Sequence, residues 1–162
     1  MVARASSGPR VRVAALMTFA GKVVLVRHRR GARTYHLLPG GGVNRGESLA
    51  DALMREVAEE TGLHCSVGRP LIINDTIDPN GNRHIINITF DAHVTGGSIT
   101  DTPEDDRVES VDLRNPAELG SLDLRPPIAA LVFEALRNPS GFSTVYAGSL
   151  FAPEIPEPPA EL

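Results

Sequence analysis

Apolar residues recur along this chain with two different periods, and these periods predict its elements. A period of two predicts strands at 11–19, 23–28, 66–76, 86–94 and 108–113, with a short extended piece at 35–38. Helical spacing predicts one helix that begins near Gly46 and is stopped by Gly62, and another over 127–137. A short helical turn is predicted at 115–118. These elements favour an α/β (α+β) fold, an α/β/α sandwich with a mixed β-sheet between helices.

The same pattern divides the chain into three parts. It begins near residue 10 and decays after residue 138, so we predict an N-terminal extension over 1–9, a domain over 10–138 and a proline-rich C-terminal tail over 139–162. The tail keeps several apolar residues, namely Phe142, Val145, Tyr146, Leu150 and Phe151. It could therefore pack on the domain or on a second copy of the chain, which leaves a homodimer open.

Composition narrows the function classes. With 162 residues, 41% of them hydrophobic, the chain suits one soluble domain with a single core. A net charge of −4 disfavours stable binding of nucleic acid, and no apolar stretch reaches membrane-spanning length. Cys65 is the single cysteine, which excludes an intramolecular disulfide. We therefore expect a cytoplasmic protein.

Three carboxylates lie close together on the first predicted helix. At about 100° per residue, Glu56, Glu59 and Glu60 fall within one arc beside the apolar stripe. Carboxylates at this spacing repel one another, and the carbonyl end of a helix prefers cations, so compensating positive charge is expected. Arg55 can supply only part of it. Hard oxygen ligands on a rigid element suit Mg²⁺ or Mn²⁺.

A glycine run precedes this helix. Gly40, Gly41 and Gly42 have no Cβ atoms, so their backbone can approach a metal ion or a substrate phosphate closely. Each feature alone has an ordinary alternative, since a glutamate-rich helix is commonly a solvated acidic face and Pro-Gly-Gly-Gly is commonly a tight turn. The two together at fixed spacing favour a cation and phosphate site.

From Gly41 to Leu63 the chain resembles the signature of the Nudix hydrolase family at every fixed position, which reads Gly-x5-Glu-x7-Arg-Glu-Val-x-Glu-Glu-x-Gly-Leu. The resemblance implies a metal-dependent pyrophosphohydrolase that cleaves a nucleoside diphosphate linked to another group by attack of water on phosphorus. It also implies metal ligation by the carbonyl of Gly40 and by Glu56, Glu59 and Glu60. Glu47 and Arg55 would hold these ligands in place.

The sequence offers more than one candidate for the general base. Glu59 is the first candidate, because a carboxylate that is not fully committed to metal can take the proton of the attacking water. The second is an acid outside the helix, Glu104 or Glu109, in a stretch that also holds Asp101, Asp105 and Asp106. Most acids of that stretch are better explained as a solvated surface.

Substrate contacts are less defined. Arg27 and Arg29 could meet a phosphate together with the backbone of Gly41 and Gly42, although a solvated hairpin end explains the arginines equally well. His36 stands where many Nudix proteins carry tryptophan, and the chain has no tryptophan for base stacking. ADP-ribose, nucleotide sugars, dinucleoside polyphosphates and nucleoside triphosphates all stay open. The alternative is a non-catalytic Nudix-like sensor that binds a nucleotide without cleaving it.

Overall fold

The computed structural model describes residues 8–153 of the chain. The strands in that range are β1 Arg10–Leu16, β2 Thr18–Phe19, β3 Lys22–Arg30, β4 Arg33–Leu37, β5 Gly40–Gly42, β6 Leu63–Ile77, β7 His84–Gly97, β8 Val108–Arg114 and β9 Val145–Ser149. The helices are α1 Leu49–Thr61 and α2 Ala129–Arg137, and the predicted helical turn is a 3-10 helix over Pro116–Ser121. The remaining parts of the predicted extension (1–7) and tail (154–162) lie outside the described residues.

The strands form two sheets rather than the single sheet that the sequence suggested. The first sheet has the order β5-β1-β7-β6-β9, in which β1 is parallel to β7 and β9 is parallel to β6. In the second sheet, β3 is central and pairs antiparallel with β2, β4 and β8. The helices flank the sheets, so the predicted mixed α/β sandwich is confirmed.

Strand β1 shows how alternation builds the two sides of the core. Val13 and Ala15 belong to the apolar cluster that includes Leu53 of α1. Ala14 and Leu16 belong to the cluster on the other side, which includes residues of α2. The period of two in the sequence thus places α1 and α2 on opposite faces of the sheet. No helix in the described part of the chain has both the length and the apolarity to cross a membrane.

The prediction of one strand over 11–19 was wrong, because the chain changes sheets at Met17. β1 ends at Leu16 in the first sheet, and β2 begins at Thr18 in the second. Ala20 and Gly21, both with positive φ (51° and 75°), then form the two-residue turn into β3. Apolar residues continue across the break, so periodicity alone could not locate it.

The chain after residue 138 contributes a strand to the sheet. β9 pairs with β6, and the Thr144 hydroxyl donates to the carbonyl of Pro70 at 2.6 Å. The Arg69 guanidinium donates to the carbonyls of Pro139 and Phe142. β9 thus extends the first sheet beyond residue 138, where the sequence placed the end of the domain.

Helix α1 begins three residues later than predicted. Ser48 is its N-cap, in extended conformation, and its hydroxyl accepts a hydrogen bond from the Asp51 amide at 3.0 Å. The serine side chain therefore fixes the first turn, while Gly46 (φ 83°) belongs to the preceding turn. The predicted stop is confirmed, because Gly62 is a left-handed C-cap with φ of 76°.

We expect Ser48→Ala to lower the free energy of unfolding by about 1 kcal/mol, because one amide at the start of α1 loses its acceptor. Urea denaturation would measure this loss. Ser98→Ala, in an exposed loop, is the matched control and should leave the midpoint unchanged. Equal midpoints for both variants would contradict the capping role.

Candidate active site

Helix α1 presents two of its carboxylates to the glycine strand β5. The Gly40 amide donates to Oε2 of Glu60 at 2.9 Å. A Cβ atom added to Gly41 would overlap the Glu56 carboxylate. Glu60 is only 2% exposed, and the Glu56 side chain is 13% exposed. The structure thus brings Glu56 and Glu60 against the backbone at residues 40 and 41.

Gly40 cannot be replaced by a larger residue without moving a strand. A Cβ at this position would overlap the carbonyl oxygen of Val13 and would lie 2.7 Å from the Cα of Ala14. Both neighbours are backbone atoms of β1, which pairs with β5. The tight turn that was the ordinary alternative for this run does not form; residues 40–42 are a short strand, and glycine allows its close approach to β1.

Arg55 connects the acidic side chains to one another. It contacts Glu47 through Nε at 2.7 Å and through Nη2 at 3.0 Å, and Nη1 lies 2.8 Å from Glu56 and 3.4 Å from Glu59. Nη2 also donates to the carbonyl of Gly42 at 3.1 Å. Hydrogen bonds from Arg55 and from the Asn44 amide lower the pKa of Glu47 to about 2, and those to Glu47 and Glu56 raise the pKa of Arg55. Arg55 and Glu47 thus hold each other in position, and Arg55 also holds Glu56 beside the glycine strand.

Glu60 has an unusual environment for a carboxylate. Burial raises its pKa from an ordinary 4.5 to about 7, and the charges of Glu56 and Asp105 act in the same direction. The Gly40 hydrogen bond and the charge of Arg12 oppose this rise. A buried carboxylate with a raised pKa beside a second carboxylate is typical of a functional site. A cation bound next to Glu60 would stabilise its ionised form.

Arg12 also lies at the site, although it was not among the predicted site residues. Its Nη2 donates to the carbonyl of Leu38 at 3.0 Å, and the charges of Glu60 and Glu56 favour its cationic form. Burial acts oppositely and lowers the pKa of Arg12. A charged residue between Val11 and Val13 in an apolar strand was the available signal.

Comparison with known proteins agrees with this geometry. A family model described as NUDIX domain matches residues 8–136. The chain belongs to the Nudix hydrolase family. It is 31% identical over 112 residues to an ADP-ribose pyrophosphatase of Methanocaldococcus jannaschii, a match that covers 68% of this chain and 66% of that protein. It is 33% identical over 95 residues to the human 8-oxo-dGDP phosphatase NUDT18, covering 58% of this chain and 28% of that protein. The chain thus spans less than two thirds of either relative.

Solved structures show the same fold. A NUDIX hydrolase from Nitrosomonas europaea is 25% identical and superposes with a TM-score of 0.69, covering 81% of this chain and 90% of that chain. A MutT NUDIX hydrolase from Burkholderia pseudomallei is 27% identical with a TM-score of 0.58, covering 79% of this chain and 98% of that chain. The likeness extends over most of this chain, well beyond the Nudix signature.

Glu59 is the least enclosed of the three acids in the Nudix helix α1. Its side chain is 38% exposed, and its contact with Arg55, at 3.4 Å, is longer than that of Glu56. Its backbone carbonyl accepts a hydrogen bond from the Glu104 amide at 3.0 Å, and the Thr61 carbonyl accepts one from Thr100 at 2.9 Å. The acidic loop after β7 is therefore attached to the carboxyl end of the Nudix helix.

Within this loop, the charge of Asp105 contributes to the raised pKa of Glu60. The Asp105 side chain is 16% exposed and pairs with Arg107 at 2.7 Å, whereas Glu104 is exposed. Backbone hydrogen bonds to the Nudix helix fix the position of this loop. The composition of the loop alone therefore could not show which of its acids acts on Glu60.

Arg27, Arg29 and Glu109 engage one another. Glu109 lies 2.9 Å from Arg27 and 2.6 Å from Arg29, and these arginines lower its pKa. The Nudix signature gave no information about these residues. Because these side chains are paired, a substrate phosphate that binds either arginine would compete with the Glu109 carboxylate. A proton that binds Glu109 would likewise compete with the two arginines.

Within residues 8–153, no three His, Cys, Asp or Glu side chains are arranged ready to hold a metal ion. Arg55 instead pairs with two of the three carboxylates of the Nudix signature, Glu56 and Glu59. The donor set itself still fits a hard cation, since carboxylate oxygens converge on glycine backbone that no side chain obstructs. Arg55 contacts Oε1 of Glu56, so Oε2 of the same carboxylate could serve a cation while Arg55 holds the side chain in place.

Proposed function

We propose that this protein is a divalent-metal-dependent pyrophosphohydrolase that cleaves a nucleoside diphosphate linked to another moiety by attack of water on phosphorus. The observation that carries the proposal is the meeting of Glu56 and Glu60 with the backbone of Gly40 and Gly41. Nudix hydrolases generally use divalent metals. The two curated relatives are named as enzymes that act on ADP-ribose and on 8-oxo-dGDP, which supports a nucleoside diphosphate derivative as substrate.

In this proposal, Glu56, Glu59, Glu60 and the Gly40 carbonyl would hold Mg²⁺ or Mn²⁺. Such an ion neutralises phosphate charge and lowers the pKa of bound water. Arg55 and Glu47 position the acidic side chains through the contacts described above. Arg12 adds a positive charge on the β1 side, where it offsets the charge of Glu60 and of an arriving diphosphate.

Glu59 takes the proton of the attacking water in this scheme. It is the most exposed of the three box carboxylates and the least tightly held by Arg55. Glu60 is less suited to this role, because it is buried and its Oε2 already accepts the Gly40 amide hydrogen bond. Glu109 is the weaker candidate, because two arginines already engage its carboxylate.

A panel of diphosphate compounds tests the proposal. The full chain would be incubated with ADP-ribose, a nucleotide sugar, a dinucleoside polyphosphate and a nucleoside triphosphate, each with Mg²⁺ or Mn²⁺ and with EDTA. We expect metal-dependent release of a nucleoside monophosphate, identified by mass, and incorporation of ¹⁸O from labelled water would show which phosphorus is attacked. Metal-dependent nucleotide binding without any product would instead support a non-catalytic sensor. The cytoplasmic location and the homodimer stay predictions.

A further inference from the structure

A third arginine lies near the candidate active site, on the acidic loop after β7. The backbone amide of Arg107 donates to Oδ1 of Asp105 at 2.9 Å, its Nε donates to the same oxygen at 3.0 Å, and its Nη2 donates to Oδ2 at 2.7 Å. This two-pronged pairing holds the guanidinium in one orientation. The Arg107 side chain is nevertheless 76% exposed. The cation is therefore both held in place and open to an arriving ligand.

Backbone hydrogen bonds fix this pair close to the carboxyl end of the Nudix helix. The Glu104 amide donates to the carbonyl of Glu59 at 3.0 Å, so Asp105 directly follows a residue that is bound to the helix. The Val108 amide then donates to the carbonyl of Asp105 at 2.9 Å, which closes a turn that carries Arg107. The position of Arg107 relative to the helix is thus set by main-chain contacts.

The charge of Arg107 is coupled to the carboxylates of the site. The hydrogen bonds from Asp105 raise the pKa of Arg107, and the charges of Glu60 and Glu56 act in the same direction. The charge of Arg107 acts in turn on Arg12. Electrostatic effects of this kind fall off steeply with distance. Arg107 therefore belongs to the same group of charges as Glu56 and Glu60, although it lies far outside the Nudix signature.

Arg107 differs from the other two arginines of the site in its free donors. Arg55 is bound to three carboxylates and to a backbone carbonyl, and Arg12 is bound to the carbonyl of Leu38. Within residues 8–153, the side chain of Arg107 has Asp105 as its only hydrogen-bond or ion-pair partner. A guanidinium has five N–H donors, so donors of Arg107 remain for the oxygens of an anion.

A buried histidine next to this turn has an unused ring nitrogen. His28 of β3 is directly opposite Val108, and by alternation it lies on the same face of β3 as Val24, which packs in the cluster that includes Leu53 of α1. His28 is 7% exposed, and its buried Nε2 has no hydrogen-bond partner among the described residues. Burial lowers the pKa of His28, and the charge of Arg107 acts in the same direction. An unsatisfied buried polar atom at this place indicates that polar ligand or water reaches this side of the site.

We propose that Arg107, held by Asp105, is a further catalytic residue, which contacts the diphosphate of the substrate and offsets the negative charge on its oxygens during hydrolysis. This inference rests on the proposed pyrophosphohydrolase function. In that reaction the water oxygen bonds to phosphorus and gives a proton to the base, while the bond from that phosphorus to the bridging oxygen breaks and the leaving phosphate keeps the electron pair. A fixed guanidinium stabilises such charge, and its planar donors match phosphate oxygens.

Arg107→Gln tests the inference, because it removes the charge from an exposed side chain and should leave the fold intact. We expect kcat/KM for ADP-ribose with Mg²⁺ to fall roughly 10- to 100-fold, as for one lost charge-assisted hydrogen bond. Arg107→Lys keeps the charge but loses the planar fork, so it should recover part of this loss. Arg83→Gln, in the exposed turn between β6 and β7, is the matched control and should behave as the unmodified chain.

A binding measurement separates this inference from the proposed function. Adenosine 5′-(α,β-methylene)diphosphate, whose P–C–P bridge water cannot cleave, would be titrated calorimetrically into the full chain with Mg²⁺. We expect its Kd to rise roughly 10-fold in Arg107→Gln and to stay unchanged in Arg83→Gln. That result would support the contact between Arg107 and the diphosphate even if no compound of the panel were cleaved.

Three outcomes would overturn the role of Arg107. The first is that the unmodified chain does not bind the analogue, and the second is that Arg107→Gln binds it as tightly as Arg83→Gln does. The third is cleavage of ADP-ribose at the same kcat/KM by Arg107→Gln and Arg83→Gln. In that last case the proposed hydrolysis would stand, and Arg107 would only balance the charge of Asp105 on the loop.

Discussion

Glu56→Gln and Glu60→Gln are each expected to lower turnover at least roughly 100-fold at saturating metal. Glutamine keeps the size of the side chain, and at residue 60 its oxygen can still accept the Gly40 amide hydrogen bond, so the fold should persist. Each substitution removes one negative charge from the pair of carboxylates that lies against the backbone of Gly40 and Gly41. The affinity for Mn²⁺, measured by calorimetry or by electron paramagnetic resonance, should fall in parallel.

Glu134→Gln is the matched control for both variants. Glu134 also lies on a helix and pairs with an arginine, Arg137, at 2.9 Å, but it belongs to α2 on the other side of the core. Its turnover should equal that of the unmodified chain. Near-normal turnover of Glu56→Gln and Glu60→Gln, with metal at saturation, would refute the assignment of these acids to the catalytic centre.

The parts of the site that follow from local geometry could be predicted from the sequence. Helical spacing placed Glu56, Glu59 and Glu60 on one arc, and a glycine at residue 62 marked the end of the helix. These relationships span only a few residues, so the helix dictates them without knowledge of the rest of the fold. The missing Cβ atoms of the glycine run predicted a close approach by another group, and in the structure the Glu56 carboxylate lies where a Cβ of Gly41 would be.

Features that depend on pairing between segments far apart in the sequence could not be predicted in this way. Arg12 reaches the site only because β1 lies beside β5 in the first sheet, a pairing between segments that are far apart in the sequence. β9 pairs with β6, more than seventy residues earlier in the chain, by hydrogen bonds that no local pattern announces. Loop composition likewise could not distinguish Asp105 from Glu104, because backbone contacts with the Nudix helix orient that loop.

Burial of Glu60 is expected to make the metal-free protein less stable as pH rises. The folded pKa is about 7 and the ordinary value is 4.5, so the folded state keeps its proton to a higher pH than the unfolded state does. Stability should therefore fall as pH increases from about 4.5 to 7, and above pH 7 the full cost is reached, on the order of 3 kcal/mol. The Glu60→Gln variant has no titratable group at this position, so its stability should not show this fall.

Urea denaturation of the unmodified chain and of Glu60→Gln in EDTA, at pH 5 and at pH 8, measures the effect. At pH 5 the two proteins should have similar free energies of unfolding, because Glu60 is protonated in the folded state. At pH 8 Glu60→Gln should be the more stable protein, while Glu134→Gln should follow the unmodified chain at both values. Saturating Mg²⁺ should stabilise the unmodified chain more than Glu60→Gln, since a cation compensates only an ionised carboxylate. A difference between the two proteins that is the same at pH 5 and pH 8 would show that the Glu60 carboxylate does not carry this cost.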